Sequence, residues 1–249
     1  MLSTLTAIAL AYGALCALMF FAQRSLLYFP VTGAPPAGAE RLDLRSGDAT
    51  LRVWVKSAPG DGALIYFGGN AEEVGMNFAP FVAALPRHSL YLVNYRGYGG
   101  STGSPSEPAL FADALAVFDH VRARHAGVAV AGRSLGSGVA VYLARERPVS
   151  KLALVTPYDS VENVAAGIYP FLPVRWLIRD RFDSASRIAD VRVPTLVVIA
   201  ERDEVIPRVR TDALVAKFPP GQARVEVVRG ATHNMLEYEA LLAEFLSQP

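Results

Sequence analysis

Short continuous apolar runs alternate with longer segments of helical periodicity along most of this 249-residue chain. A run that is apolar at every position is typical of a strand buried on both faces, and such strands form parallel sheets connected by helices. This alternation predicts an α/β fold with a mostly parallel central sheet and helices on both of its faces. The predicted buried strands are residues 63–67, 90–94, 128–131, 152–155, 195–200 and 225–228, and the alternating segment 51–56 is a predicted edge strand. The predicted helices are residues 74–85, 108–124, 135–145, 208–218 and 235–246.

The amino-acid composition excludes several classes of protein. Apolar residues make up 52% of the chain and charged residues 19%, which suits neither a disordered chain nor a coiled coil. The net charge of +1 gives no indication of a nucleic-acid partner, which requires a basic face. Cys16 is the single cysteine and the four histidines are scattered, so we expect neither an internal disulfide nor a metal centre.

The first 22 residues carry no charged side chain and predict a membrane-spanning helix. About 20 such residues, at a helical rise of ~1.5 Å each, span the ~30 Å hydrocarbon core of a bilayer. Gln23 and Arg24 end the apolar stretch, and Tyr28 and Phe29 follow at positions typical of interfacial aromatic residues. The predicted organisation is a single-pass anchor at 1–24, a linker at 25–40 that is rich in proline, glycine and alanine, and one folded domain at 41–249.

Two alternatives to the anchor remain open. A cleaved signal peptide needs a basic amino-terminal region and a shorter apolar stretch, and this segment has neither. A lipoprotein signal would have a small residue immediately before Cys16, where Leu15 stands. The other alternative is a buried helix of a soluble protein. If the segment is an anchor, the cations Arg24 and Arg41 on its carboxyl-terminal side weakly favour a cytoplasmic domain.

Residues 157–184 interrupt the alternation of strands and helices. They contain no clear strand and carry many large apolar side chains, among them Phe171 and Trp176. A long insertion between two strands of a sheet is a common place for a lid over a functional site, so we predict a lid-like insertion here. Ordinary packing of the same side chains in the core is the alternative.

Residues 132–136 match the pattern G-x-S-x-G, directly after a predicted strand and directly before a predicted helix. In that setting the serine lies on a sharp turn with its hydroxyl group exposed. Because the turn is tight, a side chain at Gly132 or Gly136 would collide with neighbouring backbone. The pattern therefore predicts that Ser134 is a nucleophile. A glycine-rich turn that only allows close packing is the alternative.

A serine nucleophile needs a base, and the base needs an orienting acid. In folds with this turn the chain order is Ser, then Asp or Glu, then His. His233 is the single histidine that follows Ser134, and it lies in a short loop before the last predicted helix, so it is the predicted base. The earlier histidines, His88, His120 and His125, are interpreted as surface or packing residues.

The orienting acid has more than one candidate in the sequence. Asp203 follows the predicted strand 195–200 and is itself followed by Val-Ile-Pro at the entry to the next helix, so it is the preferred acid. The carboxylates that remain as alternatives are Glu201, Glu204, Asp159 and Asp183.

Two backbone amides are predicted to stabilise the oxyanion that forms when the nucleophile attacks. The amide of Leu135 lies at a helix N-terminus, which favours negative charge. The second donor should come from an earlier strand-to-helix loop. Residues 67–72 end a predicted strand with Gly68 and Gly69, so the amide of Asn70 is the second predicted donor. A plain glycine turn is the alternative.

Several segments resemble the α/β-hydrolase superfamily, and more narrowly its branch of membrane-anchored serine hydrolases and protein depalmitoylases. Residues 94–107, Asn-Tyr-Arg-Gly-Tyr-Gly-Gly-Ser-Thr-Gly-Ser-Pro-Ser-Glu, match the loop pattern Y-R-G-Y-G-x-S-x-G-x-P-x-E of that branch. Residues 67–71 look like its F-H-G-N-A segment, and residues 23–30 are similar to the segment that follows its anchor. The segments 182–184, 194–196, 203–207 and 233–234 also fit.

The resemblance implies an α/β-hydrolase fold that works without cofactor or metal. It also implies a triad of Ser134, Asp203 and His233, with an oxyanion hole formed by the amides of Asn70 and Leu135. Gly68 is the one departure, because the family usually has histidine there. That position lies outside the triad, so we expect altered packing or selectivity of the loop and not loss of the mechanism.

These features predict a membrane-anchored serine hydrolase that cleaves carboxylic esters or thioesters, with a small-molecule or lipid-like acyl substrate. A peptidase or an acyltransferase with the same triad remains an alternative, because the nucleophile is the same in all of these reactions. A catalytically silent, membrane-tethered binding protein is the alternative from a different functional class. The natural acyl group and the oligomeric state do not follow from the sequence.

Overall fold

A computed structural model describes residues 3–60, 62–235 and 238–248 of the chain. Met1 and Leu2 of the predicted anchor, Leu236 and Glu237 of the predicted closing helix, and Pro249 at the end of the predicted domain lie outside the described residues.

One sheet of eight strands forms the centre of the fold, in the order β1-β2-β4-β3-β5-β6-β7-β8. β2 runs antiparallel to both of its neighbours, and every pairing from β4 to β8 is parallel. The strands are β1 Glu40–Ser46, β2 Ala49–Lys56, β3 Gly62–Phe67, β4 Ser89–Val93, β5 Gly127–Arg133, β6 Leu152–Val155, β7 Thr195–Arg202 and β8 Ala223–Thr232. The mostly parallel sheet predicted from the apolar runs is confirmed.

Helices cover both faces of the sheet and enclose two apolar cores. Along β3, Ile65 and Phe67 pack into one core with α3 and α4, whereas Leu64 and Tyr66 pack into the other with α2 and α9. The helices are α1 Thr4–Leu27, α2 Phe78–Ala84, α3 Glu107–Arg122, α4 Leu135–Glu146, α5 Val161–Ile168, α6 Val174–Leu177, α7 Ala185–Ile188, α8 Arg208–Val215 and α9 Glu239–Ser247.

The prediction that residues 51–56 form an edge strand was wrong. β2 contains them and lies inside the sheet, between β4 and the strand β1, which was not predicted. The alternation in β2 reflects one partly solvated face, which an antiparallel strand can have in the interior of a sheet as well as at its edge. β1 was missed because its charged residues resemble a loop.

Two helix predictions differ from the structure at their starts. The predicted helix 74–85 begins as a 3₁₀ turn, Val74–Asn77, and becomes α-helical at Phe78. The last helix begins at Glu239 rather than at Met235. At the other end of the chain, α1 continues to Leu27, three residues past the predicted end of the anchor.

α1 is long and apolar enough to cross a membrane, and its most apolar window of 18 residues is not buried in the protein. Its carboxyl-terminal half nevertheless contacts the insertion 157–184. Arg24 binds Asp180 with an Nε–Oδ2 distance of 2.9 Å, and the hydroxyl group of Tyr28 donates to the same carboxylate at 3.1 Å. The helix is therefore joined to the domain by polar side chains close to its end.

The parallel strands bring the predicted site residues to one edge of the sheet. The carboxyl ends of parallel strands lie at the same edge, and in such sheets ligands bind there. Ser134 follows β5, Asn70 lies in the loop after β3, Asp203 follows β7 and His233 follows β8. Their convergence is thus a consequence of the strand order.

Candidate active site

Ser134 lies on the turn between β5 and α4 in a conformation that few non-glycine residues adopt, with φ of 48° and ψ of −117°. A Cβ atom at Gly132 would lie 2.2 Å from the carbonyl oxygen of Gly136, and one at Gly136 would lie 2.1 Å from that of Phe67. Both distances are far inside van der Waals contact, so this turn requires glycine on both sides of the serine.

We expect Gly132→Ala to reduce kcat for a short-chain ester on the order of 10²-fold, because the serine must shift to make room for the methyl group. The same overpacking should cost about 1–3 kcal/mol of stability. Gly127→Ala is the matched control in the same strand, since a Cβ atom there meets nothing within 4 Å. Kinetics of both variants, with thermal unfolding as the second measurement, check the prediction; equal effects would contradict it.

The imidazole of His233 connects Ser134 to Asp203. Its Nε2 atom lies 3.0 Å from the Oγ atom of Ser134, and its Nδ1 atom lies 2.9 Å from both carboxylate oxygens of Asp203. Ser134 and His233 are both buried. The structure thus brings the three predicted residues into one hydrogen-bonded chain, while their catalytic roles stay predictions.

The alternative acids contact other groups. Glu204 accepts a hydrogen bond from the backbone amide of His233, and Glu201 accepts one from that of Gly230. Asp159 accepts hydrogen bonds from the side chains of Asn163 in the insertion and Arg210 on α8. Asp183 accepts one from the backbone amide of Ser186. Of the carboxylates considered, Asp203 is the one that binds the His233 ring.

Asp203 is held in its charged form. Burial alone would raise the pKa of its carboxyl group, but hydrogen bonds from His233 and from the amides of Ile206 and Val205 outweigh burial, and the pKa lies below its ordinary value. The amide of Ile206 donates to Oδ1 at 2.7 Å and that of Val205 at 2.9 Å. A carboxylate that is ionised at neutral pH can orient an imidazole and stabilise its protonated form.

The loop after β3 is anchored by the side chain of Asn70. Its Oδ1 atom accepts hydrogen bonds from the amide of Phe29 at 3.0 Å and from the hydroxyl group of Tyr98 at 2.8 Å, and its Nδ2 atom donates to the carbonyl of Leu27 at 2.6 Å. Among the residues that the structure describes, the backbone amides of Asn70 and Leu135 donate no hydrogen bond. Both amides therefore remain available for an oxyanion.

Two cavities of different polarity meet at Ser134. The first, of about 280 Å³, is mostly apolar and lies between α1, the insertion and the loop after β7. The second, of about 230 Å³, is more polar than the first and includes His233 in its lining. The other residues lining the polar cavity are Gly69, Asn70, Ala71, Glu72, Arg133, Ser134 and Asn234. Ser134 thus borders an apolar space on one side and a polar one on the other.

Sequence reasoning missed a buried ion pair beside the site. Arg133 Nη1 lies 2.9 Å from Glu72 Oε2, and Arg133 Nη2 donates to the carbonyl of His233 at 3.1 Å. Glu72 also accepts a hydrogen bond from the amide of Gly69 at 2.6 Å. The pair therefore connects the loop after β3 with the loop that carries His233. A sign of this ion pair in the sequence was Arg133, a charged residue at the end of an otherwise apolar strand.

The space next to Gly68, where the family usually has histidine, is filled in this chain. A Cβ atom at Gly68 would lie 2.6 Å from Cγ1 of Val74 and 3.1 Å from Cδ of Glu72. A side chain at residue 68 would therefore require Val74 to shift and Glu72 to move by a few tenths of an ångström. Glycine at this position therefore leaves room for Val74 and Glu72 to pack against the loop.

Comparison with known families identifies the fold. The sequence profile of an alpha/beta hydrolase domain matches residues 88–240, which is more than half of the chain. The chain belongs to the α/β-hydrolase family. The superfamily and the fold expected from the resemblance are confirmed, and the matched stretch contains Ser134, Asp203 and His233.

Relatives of this α/β-hydrolase occur in bacteria and eukaryotes. It is 37% identical over 228 residues to an uncharacterized protein of Mycobacterium tuberculosis, covering 85% of this chain and 80% of that protein. It is 26% identical over 230 residues to the protein bem46 of Schizosaccharomyces pombe, covering 84% and 77%. It is 32% identical over 168 residues to the lysophosphatidylserine lipase ABHD12 of Xenopus tropicalis, covering 58% of this chain and 43% of the lipase.

Solved structures resemble this α/β-hydrolase in fold. The Pyrococcus furiosus esterase Pf2001 has a TM-score of 0.71 at 16% identity, and the alignment covers 88% of this chain and 97% of the esterase. A putative hydrolase from Agrobacterium vitis has a TM-score of 0.67 at 18% identity, covering 85% and 98%. At these identities the likeness concerns the fold alone.

Proposed function

We propose that this α/β-hydrolase is a membrane-anchored serine hydrolase that cleaves carboxylic esters or thioesters through an acyl-serine intermediate. The observation that carries the proposal is the hydrogen-bonded chain from Ser134 through His233 to Asp203, next to an apolar cavity. Family membership supports hydrolase activity, and the relative named as a lysophosphatidylserine lipase supports an ester-like substrate.

In the proposed reaction His233 removes the proton of the Ser134 hydroxyl group as Oγ attacks the acyl carbon. The amides of Asn70 and Leu135 donate to the oxygen that becomes negative, and such fixed donors are worth on the order of 10²–10³ in kcat each. His233 then gives its proton to the leaving group as the carbon–oxygen or carbon–sulfur bond breaks. Water repeats the steps on the acyl-serine and releases the acid.

The two cavities support a proposed placement for the two halves of the substrate. The leaving group must lie within reach of His233, because that residue protonates it. His233 lines the polar cavity, so the leaving group belongs there. Leu135 lines the apolar cavity, which takes the acyl group on the other side of the oxyanion position. The proposed substrate therefore joins an apolar acyl chain to a polar leaving group.

The proposed location follows from α1. A helix of 24 residues is ~36 Å long, which suffices to cross the hydrocarbon core of a bilayer. Arg24 at its carboxyl-terminal end would then lie at the interface and, by the positive-inside tendency, would leave the domain on the cytoplasmic side. The apolar cavity borders α1, so an anchored domain would hold its acyl site beside the membrane.

A fluorophosphonate probe applied to the full-length chain in membranes tests the proposal. We expect one covalent adduct, which mass spectrometry of the digested protein places on Ser134. We also expect turnover of p-nitrophenyl esters and thioesters, with kcat/KM rising with acyl length until the apolar cavity is filled, because burial contributes about 0.8 kcal/mol per CH₂ group.

Two controls separate the alternatives. Amide substrates and added amine or alcohol acceptors distinguish a peptidase or an acyltransferase from a hydrolase by their products. An adduct on a residue other than Ser134 would contradict the assignment of the nucleophile. Neither labelling nor turnover of any ester would favour the silent binding protein over an enzyme.

A further inference from the structure

Three large apolar side chains of the insertion 157–184 are exposed on the protein surface. Ile168 is 58% exposed, Phe171 61% and Trp176 88%. Ile168 ends α5, Trp176 lies on α6, and Phe171 lies between these helices. We call these three residues the insertion face. Large apolar side chains that are exposed within one short segment are candidates for a contact with another molecule, since leaving them in water is unfavourable.

The insertion is fixed to the carboxyl-terminal end of α1 by polar contacts. Asp180 is almost completely buried and accepts two hydrogen bonds from Arg24, at 2.9 and 3.2 Å. Gln23 donates from Nε2 to the carbonyl of Leu177 at 3.1 Å and accepts at Oε1 from the amide of Arg179 at 2.7 Å. Leu177, and therefore its neighbour Trp176, lies close to the level of Gln23 along the helix.

A further contact lies deeper along α1. The hydroxyl group of Tyr12 donates to the carbonyl of Phe171 at 2.9 Å. Tyr12 precedes Arg24 by 12 residues, which is ~18 Å along a helix axis. If α1 spans the bilayer with Arg24 at the interface, the level of Tyr12 lies within the hydrocarbon core. The insertion cannot stay in water in that case, because Phe171 is bound at that depth.

We propose that the insertion face is a second contact of the protein with the lipid bilayer. Phe171 inserts among the acyl chains, and Trp176 lies at the level of the lipid head groups, where tryptophan is enriched in membrane proteins. The proposal rests on the membrane anchoring that belongs to the proposed function, and it adds that part of the catalytic domain is itself immersed in lipid.

The charges around Trp176 fit this depth. Arg175 and Arg179 are exposed beside it, and cations at the interface contact lipid phosphates. Arg175 also lies 3.5 Å from Glu162 Oε1, and the Arg179 guanidinium lies 5.5 Å from the centre of the Phe20 ring on α1. Near Phe171, by contrast, the neighbouring residues 168–174 carry no charge. The insertion is therefore charged near Trp176, at the level of the head groups, and uncharged near Phe171, at the depth of the acyl chains.

The apolar cavity borders the same surface. Its lining includes Leu26 of α1 and Ile168 of the insertion, and both side chains are also exposed, at 48% and 58%. The cavity thus meets the outside between α1 and the insertion face, and on its inner side it reaches Ser134. With the insertion face in lipid, an acyl chain can enter this cavity from the bilayer without crossing water.

Tryptophan fluorescence tests the depth directly, because the chain has two tryptophans in contrasting places. Trp54 is buried in β2 at 5% exposure, whereas Trp176 is exposed. The full-length protein is reconstituted in phosphatidylcholine vesicles whose acyl chains carry bromine either near the head group or near the chain end. The difference between wild type and Trp176→Phe reports Trp176, and we expect stronger quenching by the shallow bromine.

A second variant moves the reporter to the greater depth. In Phe171→Trp combined with Trp176→Phe, the new tryptophan should be quenched more strongly by bromine near the chain end than by bromine near the head group. The two variants thus predict opposite orders of quenching. Equal, weak quenching of both reporters in protein that remains in the vesicles overturns the proposal, since the insertion face would then lie in water.

Activity adds a readout that depends on the bilayer. Trp176→Ser should lower hydrolysis of a long-chain ester embedded in vesicles severalfold, while kcat/KM for a soluble short-chain ester stays unchanged. Val209→Ser on α8, where Val209 is 58% exposed, is the matched control and should change neither rate. Equal losses with both substrates would overturn a role in the bilayer. Failure of the anchoring itself is distinguished by extraction with alkaline carbonate, because the wild-type protein would then leave the membrane fraction.

Discussion

Ser134→Ala should reduce kcat for ester hydrolysis on the order of 10⁴–10⁶-fold, with little change in the thermal unfolding midpoint. The substitution removes the proposed nucleophile, and the activity that remains would come from the proposed oxyanion donors and from substrate binding. Stability should change little, because the substitution removes one side-chain hydrogen bond, worth about 1 kcal/mol. The measurement is kcat/KM with a soluble short-chain p-nitrophenyl ester, together with loss of fluorophosphonate labelling.

The double variant Ser134→Ala/His233→Ala distinguishes a catalytic unit from two independent residues. His233→Ala alone should cost about as much as Ser134→Ala, and the double variant should be no slower than either, because residues that act as a unit are non-additive. His120→Ala is the control, since that histidine lies in the last turn of α3 and lines neither cavity, and it should leave kcat unchanged. If the losses of the two single variants multiply in the double variant, the two residues act independently, which would contradict the proposed proton transfer from Ser134 to His233.

Local patterns explain how much of this fold and site could be predicted from the sequence. Every strand with a continuous apolar run was predicted, because burial on both faces appears directly in the residue types. The turn around Ser134 was predictable because its steric requirement also appears in the residue types. It demands glycine two residues before and two residues after the serine, and Gly132 and Gly136 stand there. Chain order then left His233 as the base, and Asp203 was preferred by its place after a strand.

Features that depend on distant partners could not be predicted. The strand Glu40–Ser46 has an unremarkable charged sequence and owes its existence to pairing with β2. Arg133 and Glu72 are 61 residues apart, and neither has a periodicity that points to the other. The docking of Gln23 and Arg24 on the insertion joins segments about 155 residues apart, which the helical pattern of α1 does not encode.

The buried pair of Arg133 and Glu72 should produce the largest loss of stability among single substitutions near the site. The side chains are 8% and 9% exposed, so removing the cation leaves a carboxylate with little access to water. Breaking such a pair typically costs about 3–5 kcal/mol. For Arg133→Met we therefore expect a fall of roughly 6–20 °C in the thermal unfolding midpoint.

Activity should fall as well, although neither side chain of the pair takes part in the proposed reaction. Arg133 donates to the carbonyl of His233 and to Oδ1 of Asn234, and Glu72 holds the amide of Gly69. Without the pair, the loop of the proposed base and the loop of the proposed oxyanion donor lose their connection. A displacement of about 1 Å can cost on the order of 10² in rate, so we expect a fall in kcat with a smaller change in KM.

Two further variants show whether the unpaired charge is the cause. Arg133→Met/Glu72→Gln removes both charges while glutamine keeps an acceptor for the amide of Gly69, and it should recover most of the lost stability. Arg147→Met applies the same substitution to an exposed pair with Asp119, where Nε lies 2.8 Å from Oδ1. Exposed pairs contribute about 0–1 kcal/mol, so this control should shift the midpoint by less than about 4 °C. A double variant as unstable as Arg133→Met would instead assign the loss to the missing hydrogen bonds of the guanidinium, and the stability of the site would then depend on the contacts with the His233 loop more than on charge.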